Sequence, residues 1–130
     1  MQDVRARAAR IREEGGYRWV GIYEVTDEEI GILGWDGATA PAHPRFPRSQ
    51  GLCGAAVESG GSVVVGDVAH DPRYLTTFGS TRSEIVVPIL RHGTVVGVLD
   101  VESDQPNAFD GRDRVQLEAA ASELATEWDG

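Results

Sequence analysis

The apolar positions of the chain change period several times, and each change marks an element. Val4, Ala8 and Ile11 recur at helical spacing and Gly15-Gly16 closes the segment, which predicts a short amphipathic helix. From Tyr17 to Val25 the side chains alternate, with Trp19, Tyr23 and Val25 on one face and Val20 and Ile22 on the other. A strand buried on both sides is expected there. Asp27-Glu28 turns the chain, and Ile30 to Trp35 returns as the hairpin partner. Pro41, Pro44 and Pro47 keep Asp36 to Gln50 mostly in loop, with at most a short strand around Arg45 and Phe46. Gly51 to Ser59 reads as a short helix with Ser49 as its cap and Gly60-Gly61 as its stop, and Ser62 to Val65 as a short strand.

Asp67 to Thr81 is a long irregular segment, and loops of this length in a compact domain are often functional. Ser83 to Leu90 and Thr94 to Ser103 follow as two strands around the tight turn Arg91-His92-Gly93. Asp110 as cap, Asp113 in the first turn and the stripe Leu117, Ala121, Leu124, Trp128 predict a closing helix. The order helix, hairpin, helix, strand, hairpin, helix gives an α+β domain: an antiparallel sheet of five or six strands with the N- and C-terminal helices together on one face. At 130 residues the chain suffices for a single core, so one domain over residues 1–130 is expected.

Composition narrows the function. A hydrophobic share of 41% with 25% charged residues is that of a globular protein. The net charge of −9 excludes nucleic acid as the expected partner. No apolar run is long enough to span a membrane, and Met1 to Arg5 lacks the apolar stretch of a secretory signal, so a cytoplasmic location is expected. The one cysteine, Cys53, closes no disulfide within the chain and runs no intrachain dithiol cycle. His43, His70 and His92 lack ligand spacing, so neither a metal site nor a cofactor is expected.

The candidate chemistry lies in the carboxylates. Asp100 and Glu102 end an apolar strand two residues apart and so share a face, and Glu84 leads the strand before it. If these strands are neighbours, three carboxylates line one rim of a sheet and suit a small ligand with a positive charge. Taken singly, each has a plainer reading. Asp100 and Glu102 are then a solvated strand end, Glu84 a surface partner of Arg82, Trp19 and Tyr23 core residues, and Cys53 either a small buried residue or a reactive thiol at a helix start.

Four stretches join these residues into one pattern: Tyr17-Arg18-Trp19-Val20-Gly21-Ile22-Tyr23, Gly51-Leu52-Cys53-Gly54, Arg82-Ser83-Glu84-Ile85-Val86-Val87-Pro88 and Gly97-Val98-Leu99-Asp100-Val101-Glu102-Ser103. In this order they resemble the free methionine-(R)-sulfoxide reductases, which are single GAF domains. The resemblance implies that Glu84, Asp100 and Glu102 hold a ligand ammonium and that Trp19 and Tyr23 form an aromatic wall. It also implies a catalytic cysteine in the loop before Arg82 and a resolving cysteine upstream of Gly51. Here Thr77 and His43 stand at those positions, and of the family's cysteines only Cys53 is kept. A threonine hydroxyl does not cycle through a sulfenic acid.

The expected function is therefore a GAF-type binding or sensing domain, catalytically inactive, that holds an amino-acid-like molecule, methionine or its sulfoxide first among candidates. Two alternatives stand beside it: a reductase working through Cys53 with an external thiol, and a dimerisation or signalling module with a vestigial pocket. A homodimer is expected, and in the dimerisation module the terminal helices form its interface.

Overall fold

The alternation of the first strand is realised as a sheet with two buried faces, seen in a computed structural model that describes residues 1–76 and 78–129. The elements are α1 (Val4–Gly15), β1 (Trp19–Val25), β2 (Glu29–Asp36), β3 (Arg45–Pro47), α2 (Gly51–Ser59), β4 (Val63–Val65), a 3-10 turn at Val68–His70, β5 (Ser83–Arg91), β6 (Thr94–Ser103) and α3 (Gly111–Thr126). Among the described residues the strands form one antiparallel sheet in the order β3-β2-β1-β6-β5-β4. The expected α+β architecture is the one observed.

Each face of the sheet has its own core. Val20, Ile22, Ile85, Val87, Ile89, Leu99 and Val101 pack with Ala8 of α1 and with Leu117, Ala121 and Leu124 of α3. The terminal helices thus share one face, as their apolar stripes require. On the other face Trp19, Tyr23, Val86 and Val98 pack against Leu52, Cys53, Ala56 and Val57 of α2. Trp128 extends the α3 stripe beyond the helical residues and is packed against the first core.

Local signals account for most boundaries. Asp110 caps α3 through a capping box: its Oδ1 accepts from the amides of Arg112 and Asp113 at 3.0 and 3.1 Å, while Asp113 accepts from the Asp110 amide at 3.0 Å. The β5–β6 turn is shorter than expected. Arg91 pairs with Thr94, which leaves His92 and Gly93 as a two-residue loop, both with positive φ.

The cap of α2 departs from expectation. Gln50, not Ser49, is the N-cap, and no side chain caps the helix. Gly51, with φ of +75°, turns the chain through the left-handed region directly after Gln50, and the helix spans Gly51–Ser59 as expected.

Candidate functional site

Strand register brings the carboxylates together. Glu102 of β6 pairs with Trp19 on β1 and with Glu84 on β5, and Glu84 pairs in turn with Val65 on β4. One row across four strands therefore reads Trp19–Glu102–Glu84–Val65. In the next row of the same face, Asp100 lies between Gly21 and Val86. Because β-strand side chains repeat every second residue, all three carboxylates project under α2.

They are not a solvated strand end. Glu84, Asp100 and Glu102 are 4%, 2% and 1% exposed, which corrects the plainer reading of each. Nor does Glu84 pair with Arg82, which is exposed. Among the described residues neither Glu84 nor Asp100 makes an ion pair with a basic side chain. Thr81, itself buried, donates to Glu102 Oε1 at 2.9 Å. Oδ1 of Asp100 is buried and accepts no hydrogen bond among the described residues.

Removing these groups from water disfavours their charged forms. Burial first, then the charge of Glu102, pushes the Glu84 carboxyl up from 4.5 to about 8. Burial and the charge of Glu84 push Asp100 well above the carboxylate range. The Cys53 thiol is also driven up, by burial and then by Asp100, Glu84 and Glu102. The Tyr23 phenol moves the same way for the same reasons.

Cys53, Glu84 and Asp100 converge on a small cavity of about 20 Å³, whose lining also includes Tyr23, His43 and Gly51. Leu75, from the segment after the 3-10 turn, lines it as well and approaches Gly51, where an added Cβ would stand 3.3 Å from it. Trp19 and Glu102 lie one row further along the sheet and are not part of this lining. Trp19 packs instead against Phe78, with ring centroids 5.1 Å apart, and its indole N–H donates to the Thr39 carbonyl at 3.0 Å. Gly21 makes room for both predicted rings: a Cβ there would stand 2.4 Å from Trp19 and 3.0 Å from Tyr23.

The cavity also gathers residues that sequence reasoning had kept apart. The resemblance puts His43 at the resolving-cysteine position, and His43 lines the cavity that Cys53 lines. The donor atoms of Cys53, Glu84 and Asp100 lie within 4.8 Å of one another, a cluster invisible to a search for ligand spacing along the chain because α2, β5 and β6 supply one residue each. Thr77, which the resemblance puts at the catalytic-cysteine position, lies outside the described residues.

The fold and the matched sequence define the class. A family model described as GAF domain matches residues 1–127, and the chain belongs to that family. Within it, the chain is 34% identical over 110 residues to GAF domain-containing protein A of Dictyostelium discoideum, covering 84% of this chain and 68% of that protein. It is 35% identical over 107 residues to the free methionine-R-sulfoxide reductase of Saccharomyces cerevisiae, covering 79% of this chain and 58% of the enzyme.

Solved structures agree. The type II free methionine-R-sulfoxide reductase of Thermoplasma acidophilum superposes with a TM-score of 0.88 at 32% identity, over 94% of this chain and 86% of that one. The Neisseria meningitidis free methionine-R-sulfoxide reductase, solved in complex with its substrate, superposes with a TM-score of 0.87 at 37% identity, over 95% and 74%. No helix among the described residues is long and apolar enough to cross a membrane.

Proposed function

We propose that this chain is a single, catalytically silent GAF domain that binds a small amino-acid-like molecule through its ammonium group. One observation carries the reading: three carboxylates share a buried sheet face, and Glu84 and Asp100 have no basic partner among the described residues. Such a cluster is costly unless protons or a cation neutralise it. An ammonium placed among Glu84, Asp100 and Glu102 restores the balance, and Tyr23 on the cavity wall, with Trp19 one row further along, supplies an apolar, π-rich flank for the rest of the ligand. The amides opening α2 are suited to the ligand's carboxylate or sulfoxide oxygen. Leu75 narrows the cavity opposite Gly51, so an amino acid is admitted by displacing it.

The similarity to free methionine-R-sulfoxide reductases makes methionine and its sulfoxide the first candidates. The chemistry itself is not carried over in this reading. The only thiol is Cys53, and its surroundings hold it in the unreactive protonated form. A cytoplasmic homodimer, joined through α1 and α3, belongs to the same proposal, and exposed Val115 on α3 supports that face.

Calorimetric titration of the purified chain with methionine, both sulfoxide epimers and a panel of other amino acids tests the reading. Saturable one-to-one binding of at least one sulfur-containing amino acid is expected. The absence of heat from every compound that carries an ammonium contradicts it.

A further inference from the structure

The cavity under α2 is far smaller than an amino acid, and its donors are mixed. Its volume of about 20 Å³ fits one water molecule or one ion. Cys53 Sγ and one carboxylate oxygen each from Glu84 and Asp100 lie within 4.8 Å of one another, all three residues are buried, and His43 lines the same space. Asp100 Oδ1 supplies an acceptor without a partner.

We propose that Cys53, Glu84, Asp100 and His43 form a site for one divalent transition-metal ion of the Zn²⁺ type. One sulfur, one imidazole nitrogen and two carboxylate oxygens make a donor set that suits a borderline-soft ion. Ca²⁺ takes six to eight oxygens and Mg²⁺ an octahedron of them, so the thiol and the small number of donors disfavour both. Ligand atoms on a tetrahedral zinc stand roughly 3.5 Å apart. His43 is exposed, in a loop between Pro41 and Pro44, and lines the same cavity. The ion's charge offsets the mutual repulsion of the two carboxylates, and its binding releases to solvent the thiol proton and those held by the two carboxyls.

The inference does not rest on the amino-acid reading: Glu84 and Asp100 are shared, so the ion and an ammonium are alternative occupants, while Cys53 and His43 serve the ion alone. Titration of the reduced, tag-free full chain with Co²⁺ alone tests it. The expected result is saturation at one equivalent, with a sulfur-to-cobalt charge-transfer band in the near ultraviolet and intense visible bands of a four-coordinate ion, all displaced by Zn²⁺. Cys53→Ser is expected to abolish the charge-transfer band, and His43→Ala to keep it while weakening Zn²⁺ binding by at least about tenfold. Failure of the wild-type chain to bind Co²⁺ at one equivalent overturns the proposal whatever the folding of the variants. A charge-transfer band that survives in Cys53→Ser, or none in a wild-type chain that does bind, overturns it too.

Discussion

Glu84 faces Glu102 directly across the β5–β6 ladder, and both carboxylates lie on the sheet face that α2 covers. Like charges opposed on a sheet are unfavourable even in water, and burial magnifies the effect. Protons, the Thr81 hydroxyl on Glu102 and a bound cation are the means by which this arrangement is held. Each has a measurable consequence.

The stability of the ligand-free, metal-free protein should fall as pH rises. An acid whose folded pKa is raised stabilises the fold fully below its unfolded value and loses that contribution as pH climbs through the folded one. For Glu84 the window runs from 4.5 to about 8. Asp100 and Glu102 on β6, Cys53 on α2, and Asp71 and His43 from the loops face the same region, and the shift of Asp100 has the same sign. Urea unfolding midpoints should therefore decline across that window, and Glu84→Gln should flatten the slope. A wild-type midpoint that rises instead would show that Glu84 is anionic in the fold.

Thr81→Val should destabilise the protein by about 1.5–3 kcal/mol, the usual scale for a hydrogen bond to a charged group. The hydroxyl donates to a buried carboxylate at 2.9 Å, and valine leaves that oxygen without it. Thr81→Ser should recover most of the loss in urea unfolding. Equal destabilisation by both variants would assign the effect to packing.

Asp110→Ala should cost about 1 kcal/mol, because it removes the acceptor for two amides at the start of α3. Asp110→Asn, which keeps a capping oxygen, should retain most of the stability. Thermal unfolding of the three proteins ranks them.

The architecture was legible because burial on two faces leaves a plain signature. Val20 and Ile22 alternate with Trp19 and Tyr23, and the two sets enter separate cores as the alternation requires. Asp110 with Asp113, and Gly15-Gly16, mark helix ends by local chemistry alone. Ser49 misled because a serine near a helix start normally caps it, whereas Gly51 redirects the backbone through a positive φ. Three carboxylates on one rim follow from the sequence only on condition that their strands are neighbours, which the hairpin fulfils, and the direct facing of Glu84 and Glu102 comes from the register alone. What could not be read was the tertiary part. His43 and Cys53 are brought to one cavity by a loop and a helix whose relative placement no local pattern encodes. Nor does alternation say that Trp19 packs edge-to-face with Phe78 rather than lining that cavity.

Catalytic silence should be complete. The chain has one cysteine, and burial together with three neighbouring carboxylates opposes its ionisation. With thioredoxin and free methionine-(R)-sulfoxide, reductant consumption should equal the blank. Turnover that vanishes in Cys53→Ser would establish the one-cysteine mechanism instead.

The central claim is that the buried carboxylates receive an ammonium. The most direct measurement compares, by calorimetry on the wild-type chain, each amino acid that binds with its N-acetylated form, which keeps the side chain and carboxylate but carries no charge on nitrogen. The free amino acid should bind and the acetylated form should not, and Asp100→Asn should weaken the free amino acid by about 1.5–3 kcal/mol. Equal affinity for the two forms, unchanged in Asp100→Asn, would contradict the account.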